Sequence, residues 1–168
     1  WEPALTSISL LATIIGLFVD KWLTEQERRK ELLVALIHEL FINLSISKDK
    51  VFNGQDLNKI KVYPRFEDTV LSAAISSGIF ITKKDKELFR LMTTWKSLLI
   101  NFNHRLNATD IYLFSNPTNE KITEMNSGLY SGLTRQQSVE SLEKLAQHLL
   151  DNYYSETKIN KDTMLYEK

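Results

Sequence analysis

Residues 4–19 read ALTSISLLATIIGLFV, a run of sixteen positions without a charged side chain. Its nine large apolar residues favour transfer into a bilayer by about 3 to 5 kcal/mol before the polar residues are counted. The run is shorter than the roughly 20 residues usually needed to cross a bilayer. Trp1 and Trp22, however, flank it as interfacial tryptophans do. We therefore predict a transmembrane helix over residues 1–23, and a buried core helix is the alternative.

The small and polar residues of this predicted helix lie mostly on one side. At 100° per residue, five of them fall within a sector of about 80°: Thr6, Ser9, Thr13, Gly16 and Asp20. Such a stripe either packs closely against another helix or lines a water-filled lumen. One helix cannot enclose a lumen, so both uses require copies of the chain or a partner helix. The stripe therefore predicts a homo-oligomer in membrane lipid, with these five residues as candidate pore-lining positions.

Beyond residue 23 the apolar residues follow helical spacing without any strand-rich region. On the predicted helix after residue 24 the spaced residues are Leu33, Ile37, Leu40 and Leu44. On the third helix they are Leu88, Leu91, Met92, Trp95, Leu98, Leu99, Phe102 and Leu106, and on the last they are Leu142, Leu145, Leu149 and Leu150. The pattern predicts an all-α bundle of four to five helices over residues 24–155, followed by a polar tail over residues 156–168.

The predicted helices of this bundle cover residues 25–50, 66–77, 85–114 and 138–154, with a short helix between Asn119 and Asn126 inside the polar loop 116–132. Gly78 is the expected C-cap of the second helix and Asp85 the expected N-cap of the third. The residues Thr24–Glu27 (TEQE) fit a capping box, unless the helix simply continues from the membrane segment.

The composition excludes several classes of chemistry. The chain has no cysteine, which excludes disulfides, thiolate metal sites and a cysteine nucleophile. Its 21 basic and 21 acidic residues balance, so we expect no direct binding to nucleic acid, which usually requires a basic excess. His38 and Glu39 begin an HExxH-like motif, but Ile42 stands where the second metal-binding histidine would be. We therefore expect no metal and no cofactor.

One polar cluster stands out on otherwise apolar helices. It combines part of the third helix with one residue of the last: Asn101, His104, Arg105 and His148. A histidine and an arginine that face each other across a bundle could cleave RNA by acid–base catalysis. The alternative is that these histidines are hydrogen-bonded structural residues or solvated ones.

A basic run, Arg28, Arg29 and Lys30, follows the apolar segment, with Lys21 nearer to it. Basic residues beside a membrane helix tend to stay in the cytoplasm, so we expect a cytoplasmic C-terminal domain. The alternative is an ion-paired, solvated helix, because acidic residues share the run.

An N-terminal membrane helix and a helical cytosolic bundle in a cysteine-free chain of 168 residues resemble the small CRISPR-associated membrane accessory protein of type VI-B systems. The resemblance implies a HEPN-like bundle and a ring, octameric in that family, around a pore in the bacterial inner membrane. It also implies a role in antiphage defence, in which the pore permeabilises or depolarises that membrane and enhances an RNA-guided RNA-targeting effector.

HEPN nucleases carry an arginine at a short spacing before a histidine, and this sequence departs from that pattern. Ser141, Leu142 and Glu143 occupy the matching positions before His148. The resemblance therefore implies a degenerate site at most and no enzyme. A membrane-tethered HEPN-type RNase and a non-conducting membrane scaffold remain the alternative functions.

Overall fold

The computed structural model describes residues 2–52, 56–130 and 133–157, with side chains for residues 15–52, 56–129 and 136–157. Over these residues it contains five α-helices and no strand, which confirms the predicted all-α class. The helices are α1 (Glu2–Ser47), α2 (Thr69–Ser76), α3 (Lys86–Leu113), α4 (Asn119–Tyr130) and α5 (Leu133–Thr157). Short 3₁₀ turns at Lys50–Phe52 and Lys83–Asp85 lie in the connections.

The helix α1 is continuous across the predicted boundary at residues 23 and 24. Thr24 does not cap a new helix, because its hydroxyl donates to the carbonyl of Asp20 within the same helix. Every residue from Ile15 to Arg28 is exposed, and the buried stripe begins with Leu33 and continues through Leu36, Ile37 and Leu40. At 1.5 Å per residue, the part of α1 before Arg29 extends about 40 Å from the bundle.

The described residues contain no helix with an apolar stretch long enough to cross a membrane. The structure does not describe the side chains of residues 1–14, which make up most of the predicted transmembrane segment 1–23.

The helices α1 and α3 run in the same direction, and α5 returns antiparallel between them. Arg29 of α1 binds both Asp85, just before α3, and Glu156, near the end of α5. The helix α5 accordingly packs against both α1 and α3. We call the end of the bundle at Arg29, where α1 emerges, the base.

The core lies along the apolar faces of these three helices. The predicted face of α3 is buried almost throughout: Leu88, Leu91, Met92, Trp95, Leu99, Phe102 and Leu106. Aromatic rings fill the far half of the core, where Phe66 contacts Trp95 edge-on at 5.7 Å and lies 5.6 Å from Phe102. These contacts join the connection between α1 and α2 to the face of α3.

An extended segment, residues 60–68, crosses the bundle beside α3 and is held by side-chain amides. Asn103 of α3 accepts from the backbone N–H of Phe66 and donates to its carbonyl, at 3.1 and 2.9 Å. Asn43 of α1 makes the same pair of bonds to Glu67, at 2.7 and 2.8 Å. Because consecutive residues of an extended chain present their polar groups to opposite sides, the segment bonds to both helices at once.

Several element boundaries differ from those the sequence predicts. The second helix begins at Thr69 rather than residue 66, because the backbone of Phe66 and Glu67 is bonded to the two asparagines. The fourth helix extends to residue 130, and the last begins at residue 133 rather than 138. The predicted boundary between the bundle and the tail falls inside α5, which ends at Thr157. The C-cap of α2 is Ser77, and Gly78, predicted as the C-cap, follows it with φ +70°, the left-handed conformation common just after a helix.

Candidate functional site at the base of the bundle

A buried ion-pair network lies where α1 leaves the bundle. The guanidinium of Arg29 donates two hydrogen bonds to the carboxylate of Asp85, from Nη1 at 2.8 Å and from Nη2 at 2.6 Å. This two-bond geometry matches the planar fork of arginine to the two carboxylate oxygens. The carboxylate is fully buried, and the arginine side chain is only 12% exposed. The network therefore holds α1 firmly against the start of α3.

Every oxygen of Asp85 is satisfied within this network. Oδ1 accepts from the hydroxyl of Tyr153 at 3.0 Å, and Oδ2 accepts from the hydroxyl of Thr82 at 2.6 Å, in addition to the two bonds from Arg29. Burial opposes ionisation of this carboxyl, but the bonds from Arg29, Thr82 and Tyr153 outweigh it and lower its pKa. Asp85 is thus a buried, ionised carboxylate that joins these elements through its hydrogen bonds.

The last turn of α5 completes the network. Glu156 accepts a hydrogen bond from Nε of Arg29 at 3.3 Å and another from Lys84. Burial works against its ionisation, yet these two cations lower the pKa of Glu156. Burial, together with the bond to Asp85, raises the pKa of Tyr153 to about 12. Two carboxylates and two cations therefore join α1, the α2–α3 connection and α5.

Aromatic rings enclose the same guanidinium. The Cζ atom of Arg29 lies 5.1 Å from the ring centre of Phe80 and 5.7 Å from that of Tyr153, within the range of cation–π attraction. Phe80 is fully buried. The hydrogen bonds and ring contacts of Arg29 join α1 to the connection before α3 and to α5.

The sequence predicts that Asp85 caps α3, and the structure confirms its position but not the capping hydrogen bond. The residue stands at the N-cap position, but its side chain makes no capping bond to the α3 backbone. It bonds instead to Arg29, 56 residues earlier in the chain. A long-range ion pair has thus replaced the local cap.

The candidate pore-lining residues lie on the part of α1 that protrudes from the base. The side chains of Thr6, Ser9 and Thr13 lie outside the described ones. Gly16 and Asp20 are exposed, and a Cβ atom added at Gly16 would meet nothing within 4 Å. No contact made by the described residues of the chain therefore requires a glycine at position 16.

The polar cluster expected on α3 and α5 is divided between two places. Asn101 and His104 are exposed on α3, and Arg105 donates to the carbonyl of Gly128 at 3.3 Å. His148 lies by Asn152, with its Nδ1 3.2 Å from the amide nitrogen. It is also near Glu87, whose pKa is lowered mainly by the hydrogen bond from Arg90 and to a smaller extent by His148. His104 is seventeen residues further along α3 than Glu87, or about 25 Å. The structure therefore does not bring His104 and His148 into one cleft.

The incomplete metal motif has a structural use. Both carboxylate oxygens of Glu39 accept backbone N–H groups of α2, from Val70 at 2.6 Å and from Leu71 at 2.9 Å. Glu39 thereby caps a helix whose own N-cap residue, Asp68, makes no side-chain cap. His38 is exposed in an open groove of about 1120 Å³ between α1 and α2. The described residues contain no group of potential ligands that could hold a metal ion.

Comparisons of the chain with models of protein families, with curated proteins and with solved structures give no match.

Sequence reasoning named Arg29 only as part of a basic run, although a signal for its burial was present. Arg29 lies four residues before Leu33, so it continues the buried stripe by one turn toward the base. A charged residue on an apolar helical face requires a partner. Its neighbours Arg28 and Lys30 lie off this stripe and are exposed.

Proposed function

We propose that this chain is a membrane-anchored protein in which the protruding part of α1 enters a bilayer and copies of that helix assemble into a pore. One observation carries the proposal: residues 15–28 of α1 are all exposed in the described part of the structure, yet they include six large apolar side chains. These are Ile15, Leu17, Phe18, Val19, Trp22 and Leu23. The exposed fractions reach 66% for Leu17 and 70% for Phe18.

Leaving such side chains in water is costly. Full burial of one large apolar side chain contributes roughly 1.5–3 kcal/mol, so six on one helix provide a strong drive toward an apolar environment. Residues 2–22 of α1 extend about 30 Å, close to the thickness of a bilayer core, and their charged residues lie only near the two ends. Trp22 lies at one of these ends, where an interfacial tryptophan is expected. Length, apolarity and the aromatic residue all favour lipid as the environment of this helix.

The stripe of small and polar residues supports assembly of several copies. Gly16 lowers the stability of an isolated helix by about 1 kcal/mol relative to alanine, and no contact among the described residues compensates for it. A close approach of another helix at this position would compensate, as small residues allow in membranes. The exposed Asp20 lies on the same stripe, at the end of the apolar run. Together they favour a polar lumen between copies.

The experiment is release of a dye from liposomes that contain the purified full-length chain. Ser9 lies on the stripe, whereas Ser7 lies about 140° away from its centre, so Ser9→Leu and Ser7→Leu form a matched pair. We expect Ser9→Leu and Thr13→Leu to lose most of the release, because apolar side chains dry a lumen. Ser7→Leu should retain it.

Equal release from the Ser9→Leu and Ser7→Leu proteins would contradict the lumen. No release from inserted, oligomeric protein would instead favour the non-conducting scaffold. If the chain does not remain with the liposomes on flotation, the anchor itself is excluded.

The resemblance to the type VI-B accessory family supplies the cellular setting of this proposal. In that setting the bundle faces the cytoplasm, and the pore dissipates ion gradients across the inner membrane during phage infection beside an RNA-guided RNA-cleaving effector. The alternative of a tethered RNase depends on His104 and His148 acting together. His148 lies near Glu87, which is about 25 Å from His104 along α3, so the geometry gives this alternative no support.

A further inference from the structure

The connection between α2 and α3 forms a short projection at the base. It leaves α2 at Gly78 and is fixed at both ends, by Phe80 beneath the guanidinium of Arg29 and by Asp85 in the ion-pair network. Both of these residues are fully buried. Between them Ile81 is 72% exposed, and Lys83 is exposed as well. An apolar side chain is thus held outward on a rigid support.

Exposed basic residues lie close to this isoleucine in the sequence and on the turn of α1 that holds Phe80 and Asp85. Lys83, Lys84 and Lys86 follow within five residues, and Arg28 and Lys30 are exposed on the neighbouring turn of α1. Lys83 and Lys86 have no ion-pair partner among the described residues. The acidic groups that face this region are largely occupied: Asp85 and Glu156 bind Arg29 and Lys84, and Glu87 binds Arg90, while Glu27 and Glu31 are exposed on α1.

The position of this projection relative to the protruding helix is fixed. Arg29, which holds it, lies seven residues after Trp22, or about 10 Å along α1. The polar headgroup layer on each side of a bilayer is roughly 5 to 7 Å thick. If Trp22 lies at the inner edge of the headgroup layer, Arg29 lies roughly 3 to 5 Å beyond the outer edge of that layer on the same side, within the length of an extended lysine side chain.

We propose that residues 79–86 are a second membrane contact, in which Ile81 contacts the headgroups and the lysines bind anionic phospholipid. This inference rests on the proposed membrane anchor and adds a site to it. A lysine near an anionic surface contributes roughly a fivefold gain in partition. One exposed isoleucine with lysines close to it in the sequence combines the apolar and charged parts that interfacial contacts use. Through Asp85, this contact also orients α1 relative to the bundle.

The test uses the absence of cysteine from the chain. A single cysteine replaces Ile81 in the full-length protein and carries a polarity-sensitive fluorophore. Ile111, 75% exposed at the opposite end of α3, is the matched control position. A label at Leu17 reports insertion of α1. Each labelled protein is reconstituted into liposomes of phosphatidylcholine with or without phosphatidylglycerol, and a lipid with a headgroup quencher is added.

We expect the label at position 81 to be quenched several-fold more than the label at position 111, and only when phosphatidylglycerol is present. Replacing Lys83 and Lys86 together by glutamine should release the label at position 81 from the quencher. The same loss of charge at Lys48 and Lys144, which line a groove between α1 and α5, should not.

Equal quenching at positions 81 and 111 in protein whose label at position 17 is inserted would overturn the inference while leaving the anchor intact. A label at position 81 that enters an apolar environment without lipid quenching would also overturn it and would assign Ile81 to a contact between copies. A label at position 17 that remains in water would exclude the anchor and the second contact together.

Discussion

Residues 15–28 and residues 29–47 belong to one uninterrupted helix, yet they are built for different surroundings. In the first part every described side chain is exposed, and large apolar residues occur on several sides of the helix. In the second part the buried apolar residues form one stripe that packs against α2 and α5. The change occurs at Arg29, the first residue of α1 with a long-range side-chain partner among the described residues.

The distribution of apolar residues around a helix therefore carries more information than their number. A stripe at helical spacing is satisfied by one neighbouring face of protein, as happens from Leu33 onward. A helix that is apolar on several sides needs an apolar surrounding on several sides, which a small bundle does not provide. The ion pairs of Arg29 mark the boundary, because a buried charge is stable only with its partners.

The largest expected effect comes from removing the charge of Arg29, the residue at which the two parts of α1 meet. Arg29→Met leaves the carboxylate of Asp85 buried without its cation, which should lower the free energy of unfolding by about 3–5 kcal/mol. The adjacent exposed residue gives a matched control: Arg28→Met should change it by no more than about 0.5 kcal/mol. The measurement is thermal unfolding of the full chain in detergent, followed by far-ultraviolet circular dichroism. Equal stability of the two variants would show that the network is not structural.

The next effect compares identical substitutions in the two parts of α1. Leu36→Ala removes a fully buried side chain and should cost about 2–5 kcal/mol of bundle stability. Leu17→Ala, at a site 66% exposed, should change bundle stability by no more than about 0.5 kcal/mol. The same unfolding experiment measures both. Similar losses in the two variants would mean that residues 15–28 pack against protein, which contradicts the proposed anchor.

Much of the fold was predictable from periodicity. The apolar spacing in α1, α3 and α5 identified residues that are buried, such as Leu33, Trp95 and Leu142. This succeeded because a long amphipathic helix repeats its signal over many turns. Gly78 was predictable for a related reason, since a positive φ after a helix selects glycine.

The segment 60–68 and the base network were not predictable in the same way. Phe66 lies in a stretch with apolar residues at helical spacing. Its backbone N–H and carbonyl, however, are hydrogen-bonded to the side chain of Asn103, and a helix that began at Phe66 would lose those bonds. The partner of Arg29 is 56 residues away. Contacts of this kind depend on how helices come together, and no local pattern encodes them.

The smallest effect concerns pH and again separates the base from the protruding helix. Folding lowers the pKa of Asp85 and of Glu156, so the folded chain binds these protons more weakly than the unfolded chain. The two carboxylates therefore stabilise the folded chain fully above their ordinary pKa values, 3.8 and 4.5. This stabilisation is lost as the pH falls from those values through the lower pKa values of the folded chain. Each proton changes stability by at most about 1.4 kcal/mol per pH unit.

Asp85→Asn removes one of these titrations, so acid should destabilise that variant less steeply than the parent chain between about pH 4 and the lower folded pKa. Asp20→Asn makes the same chemical change on the exposed part of α1 and should retain the slope of the parent chain. Urea unfolding of the three proteins in detergent across this pH range measures the difference. Parallel slopes in all three would mean that Asp85 gains nothing from Arg29 on folding, and the boundary within α1 would then rest on apolar packing alone.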